Sequence, residues 1–276
     1  MSEWNDRRRD VVRLARSAGF PARDAEILAE HSRPAARLRV AQRPEQQAGS
    51  SRLGGLPELP AKAAWPSGVH GPMTFLGQVD LEHAAFLAGV DGWSAISGSL
   101  AFFVDMDPDA DEVAGGRVVL VEQGAGERVD RPQDASPPRI LQESPLAVAP
   151  VMTPPMWLPD GVELEHDLDA DDWAAWDRLY EGLGCGGASF LDAHHQLLGN
   201  PWGGDMDPVW MGGVRFASDS EDASDPEHPF RLLAQFTTDH DAGLDFADAG
   251  VIYFVGRAGD FAAARFDRLV VFGESA

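Results

Sequence analysis

The sequence predicts an α+β fold: a mainly antiparallel sheet, an internal duplication of a β-rich unit with few helices, and a helical N-terminal segment. Three observations predict it. First, one block occurs twice. Residues 99–121 (SLAFFVDMDPDADEVAGGRVVLV) and 250–272 (GVIYFVGRAGDFAAARFDRLVVF) align at an offset of 151, setting Leu100 to Val104 on Val251 to Val255 and Arg117 to Leu120 on Arg268 to Val271. Second, two shorter echoes precede each block in the same order: Phe75-Leu76-Gly77-Gln78 against Leu232-Leu233-Ala234-Gln235, and Leu53-Gly54-Gly55-Leu56-Pro57 against Leu198-Gly199-Asn200-Pro201. Third, short apolar runs follow one another with few long helices between them, which argues against a doubly wound parallel sheet.

The elements follow in order. Asn5 to Ala18 reads as an amphipathic helix ended by Gly19, and Pro21 opens a second helix that runs to about His31. ARLRVA (36–41) alternates apolar and basic, as a half-exposed strand does. Arg43 to Pro72 is rich in Gly and Pro and reads mostly as loop. Met73 to Leu81 is a strand, Glu82 to Leu87 a helical turn, and SLAFFVD and RVVLVE are two strands joined by an acidic tip. Residues 131–160 hold Pro132 and seven further prolines, with an extended stretch at Leu146 to Met152. Asp169 to Leu183 has acids in its first turn and the apolar stripe Trp173, Trp176, Leu179 and Tyr180, which specifies a helix. Loop follows, including the acidic stretch Ser218 to Glu227. Strands RLLAQFT, GVIYFVG and RLVVFG close the chain, with a helical turn near Phe261 to Arg265. The expected organisation is one domain over 1–276: N-terminal helices 1–33, a first repeat 34–130, a Pro-rich connection 131–160 and a second repeat 161–276.

Composition narrows the function classes. The net charge is −23 over 276 residues; residues 1–43 hold ten Arg against six acids, so the remainder carries −27. A field of that sign repels phosphate, which sets nucleic acid aside; the charge serves solubility or a salty cytoplasm, or else it favours a cationic protein partner. The N-terminus lacks a signal-peptide core and no window reaches membrane-span length, so a cytoplasmic protein is expected. Cys185 is the only cysteine, which excludes an intramolecular disulfide and a Cys-based zinc cage.

Several motifs fail on context. GLGCGG (182–187) matches G-x-G-x-x-G, but a helix precedes it and loop follows, whereas the dinucleotide fingerprint needs strand then helix. Cys185 near His194 and His195 has no accompanying nucleophile motif and reads as a packing residue. Asp105, Asp107, Asp109 and Asp111 alternate, but Ala110 and Gly116 stand where a calcium loop needs Gly and Glu, so the run reads as a solvated hairpin tip. His166 and the His194-His195 pair lack ligand spacing, so no metal and no cofactor is assigned. Gln78 and Gln235 each interrupt an apolar strand at the same place in each copy. Either each ties down a neighbouring loop, or the two face a shared cleft between the halves.

Taken together, SRLGGLPELP (51–60), Ala64-Trp65-Pro66, TFLGQVDL (74–81), SGSLAFFVD (97–105), HQLLGNP (195–201), LLAQF (232–236) and the stretch 248–271 resemble the YwqG-like family of bacterial proteins. The resemblance runs from about Ala36 to the C-terminus. It implies an α+β fold with internal duplication, brings no catalytic residues, and includes members regarded as immunity proteins that neutralise toxin domains. The expected role is therefore a non-enzymatic protein-binding module such as a toxin-neutralising immunity protein. The alternative is a small-molecule or metal-dependent enzyme, or a ligand-binding protein, with a cleft between the repeats. The candidate cleft residues are Arg52, Trp65, Gln78, His195 and Gln235.

Overall fold

The structure is a computed structural model that describes residues 2–41, 51–90, 93, 96–107, 112–132, 141–165, 172–186, 193–203, 206–219, 229–246 and 249–275. Helices α1 (Ser2–Ala18) and α2 (Ala22–His31) meet at Gly19, whose φ of +116° makes the turn. The first half then supplies β1 (Arg33–Val40), β2 (Arg52–Leu53), β3 (Glu58–Pro60), β4 (Ser67–Gly68), β5 (Gly71–Pro72), β6 (Thr74–Asp80), a 3-10 turn at Ala85–Leu87, β7 (Ser99–Met106), β8 (Val113–Val121) and β9 (Gly126–Arg128). The second half supplies β10 (Ser144–Thr153), α3 (Asp172–Leu183), β11 (His195–Leu198), α4 (Pro208–Asp219), β12 (Phe230–Thr237), β13 (Val251–Arg257), α5 (Ala258–Ala262) and β14 (Leu269–Glu274).

Ten strands form one antiparallel sheet in the order β14-β13-β12-β11-β1-β10-β2-β6-β7-β8. The order reads the same from either end once the halves are exchanged: β11-β12-β13-β14 repeats β2-β6-β7-β8. The leading strands are traded. β1, at the start of the first half, pairs with β11 of the second, and β10, at the start of the second, pairs with β2 of the first. β1 and β10 pair with each other at the centre, Arg37 opposite Ala149. The sheet curls until its end strands approach: a Cβ on Gly116 of β8 would lie 2.8 Å from Val271 Cγ1 of β14, making the sheet nearly a barrel.

The duplication is present, and its register corrects two of the sequence alignments. Arg52 lies opposite Gln78 as Gln196 lies opposite Gln235, and a bulge follows at the same place, between Phe75 and Gly77 and between Leu232 and Ala234. The Phe75–Gln78 echo is therefore in register. Phe102, however, corresponds to Phe254, because they sit opposite Gly77 and Ala234. The true offset there is 152, and an offset of 151 would put every side chain on the wrong face. Likewise Leu53 corresponds to Leu197. The left-handed pair Gly54 and Gly55 (φ +60°, +72°) then matches Leu198 and Gly199 (φ +55°, +80°).

One face of the sheet lines the barrel interior. Phe102 meets Phe236 and Phe254 there at ring centroid distances of 5.1 and 5.2 Å, so the two halves share aromatic contacts. The outer face of the second half is covered by helices, with Trp176, Leu179 and Tyr180 of α3 buried against Ala35, Val151 and Tyr253. The outer face of the first half is covered by the loop bearing Trp65. Four local expectations change. β1 is the sheet's centre and buries Ala35 to Leu38, including Arg37, whose guanidinium donates to the carbonyls of Ala193 and His195. Trp173 stands 43% exposed, outside the stripe that packs. Residues 208–219, read as loop, form α4. Gly212 and Gly213 lower its helix propensity, yet they let it settle on the sheet, since a Cβ on Gly212 would lie 2.5 Å from Val255 Cγ1. Of the acidic tip, Asp105 is buried: its carboxylate accepts from the Val69 and His70 amides (2.6 and 3.3 Å) and closes the β4–β5 hairpin. Residues 108–111 lie outside the described residues.

Candidate functional site

Gln78 sits on β6 where the strand faces the loop leaving β2. Its Oε1 accepts from Arg52 Nη2 (3.0 Å) and the Glu58 amide (2.9 Å). Its Nε2 donates to the Glu58 carbonyl (3.2 Å) and to Ser99 Oγ (2.7 Å). Gln235 repeats the arrangement on β12. Its Oε1 accepts from the Trp202 amide (2.9 Å) and its Nε2 donates to the His194 carbonyl (2.8 Å). Glu58 and Trp202 occupy equivalent places along the two repeats. In both copies the Oε1 of a strand glutamine thus accepts from the backbone that follows β2 or β11, while the Nε2 partners differ; both buried amides are satisfied.

Arg52 and Gln196 form a second matched pair. Arg52 Nη2 donates to the Leu56 carbonyl (2.9 Å), and Gln196 Nε2 donates to the Asn200 carbonyl (2.7 Å) and the Leu198 carbonyl (2.9 Å). Burial pushes Arg52 below the usual arginine range, while Glu58 and Glu143 act in the opposite direction. Sequence reading missed Gln196, because an arginine and a glutamine that fasten the same loop share no chemical class. Only the 144-residue spacing of Leu53 and Leu197, set by the strand register, reveals them.

His195 is fully buried between β1 and β12. Its Nδ1 accepts from the Thr237 amide (3.1 Å), which leaves Nε2 to donate to Asp239 Oδ2 (3.1 Å). Burial lowers its pKa, with Asp239 acting in the opposite direction, so the ring is neutral. Burial acts to raise Asp239, but the hydrogen bond from His195 and the Ala242 and Asp241 amides outweigh it and leave it lowered. A general base needs an accepting nitrogen turned toward substrate. Here both ring nitrogens are committed, one to backbone and one to Asp239. Asp239, the other partner missed in sequence, is 44 residues away and signals itself only by its place in a tight Asp239–Leu244 turn.

This pair sets a pH dependence. The unfolded chain binds a proton on His195 near pH 6.5, which the folded chain resists. Its contribution is complete above that value and is lost as pH falls. Asp239, lowered in the folded state, is lost in the same direction at still lower pH. Melting temperature is expected to fall between pH 7.5 and 5, and His195→Gln should flatten that slope. An unchanged slope in the variant would contradict the assignment.

The remaining groups are also built into the core. Trp65 packs edge-on against Phe103 (5.6 Å) and donates to the Met73 carbonyl (2.9 Å). Cys185 is buried, its thiol pushed up to about 12 by burial, with Sγ 3.6 Å from the Met152 carbonyl. At neutral pH it stays a thiol, the unreactive form. The five candidate residues fall in different places: Arg52 and Gln78 bond directly, His195 and Gln235 neighbour each other on β11 and β12, and Trp65 covers the outer face. β1 and β10 stand between β2 and β11.

The exposed surface offers a different feature. On α4, Val209, Met211 and Phe216 turn toward the sheet, Phe216 meeting Phe230 at 5.3 Å. On the helix, Trp210 and Val214 lie four residues apart and are 58% and 49% exposed, and Met206, in the bend before the helix, is 46% exposed. The spacing places Trp210 and Val214 on one outward face. The sequence that continues from α4 is acidic: Asp219, Glu221, Asp222, Asp225 and Glu227 fall within nine residues and no base interrupts them.

No curated protein sequence matches the chain. The family described as Domain of unknown function (DUF1963) matches residues 51–272. The match begins at the edge of β2 and ends within β14. It takes in both repeats and leaves out α1, α2 and β1. The chain belongs to the DUF1963 family.

Proposed function

We propose that the chain is a non-enzymatic protein-binding module that captures a cationic protein, in the manner of an immunity protein neutralising a toxin domain. The observation that carries this reading is the exposed face of α4 at Trp210 and Val214, with the exposed Met206 just before it and five carboxylates following in sequence. Exposed aromatic anchors beside charge are the composition of a recognition surface, with apolar contact giving affinity and complementary charge giving speed. The resemblance to YwqG-like proteins points the same way. So does the saturation of His195, Gln78 and Gln235 by buried partners, which leaves these groups to the fold.

The test uses the full chain. Proteins captured from the native strain by the immobilised chain and by Trp210→Asp are compared, and a purified captured protein is then studied by association kinetics. The reading expects a basic protein, retained at least tenfold less by the variant, whose own toxicity or activity is blocked at one-to-one ratio. Its association rate should fall about tenfold from 50 to 300 mM salt, because steering acts over roughly 8–10 Å at physiological ionic strength. A salt-independent rate, or undiminished capture by Trp210→Asp, would remove this surface from the account.

A further inference from the structure

Nine backbone-paired junctions join the ten strands of the sheet. Where the sheet curls round and its end strands meet, no backbone hydrogen bond links β8 to β14 among the described residues. The seam is closed by side chains instead, and each close approach sets a glycine against a valine. A Cβ on Gly116 would lie 2.8 Å from Val271 Cγ1, and a Cβ on Gly273 would lie 2.9 Å from Val113 Cγ2. Val113 and Val271 both pack into the interior with Phe102 and Phe254. Gly116 meeting Val271 while Val113 meets Gly273 also means that the two strands run antiparallel, so the seam has the geometry of one more ladder without its bonds.

The two sides of the seam are held unequally. β14 is pinned from outside, because Phe272 is fully buried beneath α4, with the Arg215 guanidinium 4.6 Å from its ring. On β8 only Val118 and Val121 are buried. Gly115 and Gly116 weaken that strand, and a Cβ on Gly115 would meet nothing within 4 Å. Peeling β8 from β7 would break a ladder of eight paired positions, and peeling β14 from β13 would break six. Parting β8 from β14 breaks only side-chain contacts. A local opening follows the route that disrupts least, which here is the seam.

We propose that the β8–β14 seam is a gate. β8 swings away from β14 while it stays paired with β7, the apolar interior behind it is uncovered, and the fit of glycine against valine recloses it. The gate goes beyond capture of a protein by α4 and does not rest on it.

The experiment is native-state thiol labelling of the full chain with iodoacetamide, read by peptide mass spectrometry. Val104→Cys places a thiol on β7 directly behind the seam, at a wholly buried position opposite Gly116. Cys185, buried under α3 away from the seam, is the internal control for global unfolding. The introduced thiol is expected to react roughly tenfold or more faster than Cys185. Gly273→Ala, added to this protein, wedges a methyl against Val113 and should speed the interior thiol about tenfold further with Cys185 unchanged. Adding Val113→Ala as well restores the room and should return the rate to its starting value. Leu100→Cys, a second wholly buried interior position, decides the matter should Val104→Cys fail to fold. A single rate for both thiols, or a Gly273→Ala effect that is shared by Cys185 or is not reversed by Val113→Ala, would overturn the proposal.

Discussion

Residues 1–135 expressed alone are expected to remain unfolded. β1 lies in this fragment, yet both of its sheet neighbours, β10 and β11, lie beyond it. β2 likewise loses β10, and the ring of Phe102 loses Phe236 and Phe254. α1 and α2 lose α3: Arg178 no longer reaches the Ala18 carbonyl, and Trp176 no longer meets Phe20 (5.2 Å). A strand pair or helix pair without its apolar cover does not offset the entropy of ordering it. The fragment should show no cooperative melt and collapsed amide dispersion in NMR. A soluble fragment with a sharp transition would show that the halves are independent, and the exchanged leading strands would then be an accessory to the fold and not its basis.

Phe102→Ala is expected to be the most damaging single substitution of an apolar residue. Its side chain is wholly buried at the point where the two halves touch, in mutual contact with Phe236 and Phe254. Truncating a buried phenylalanine costs about 3–5 kcal/mol, since it forfeits transfer free energy and leaves a cavity. For a chain of this length that corresponds to a melting temperature lower by roughly 10 °C. Val69→Ala, at an 82% exposed hairpin position, serves as the contrast and should leave the transition in place. A Phe102→Ala protein that melts with the native one would mean that the interior is less tightly shared between the halves than the ring contacts indicate.

The duplication was legible because each copy carries a glutamine in an apolar strand beside a bulge, and that combination survives divergence. Its register was not. β7 and β13 are buried on both faces, so apolar falls on apolar at an offset of 151 as well as at 152, and the period of two that would have told them apart is missing. The exchange of leading strands was likewise out of reach. β1 and β10 meet across more than 100 residues of chain, and nothing in ARLRVA or SPLAVAPVMT names a partner. α4 was hidden by its own packing device, the two glycines that bring it onto β12 and β13. Of the candidate residues, the sequence placed Gln78 and Gln235 correctly as a repeated pair, but the groups they share as partners are backbone amides and carbonyls, which leave no mark in a sequence, and the Arg52 and Ser99 side chains join only at Gln78. Gln196 escaped because only the strand register aligns it with Arg52, and Asp239 because its partner His195 lies 44 residues away.

In the function proposed above, polar groups within the sheet serve the fold and recognition takes place outside it, on α4. Hydrogen exchange read by mass spectrometry, on the free chain and on its complex with the captured basic protein, tests this most directly. The account predicts new protection in peptides covering 206–219, with those covering 51–60, 74–80, 195–202 and 232–239 unchanged. Protection gained in the latter peptides, with 206–219 exchanging as in the free chain, would contradict it.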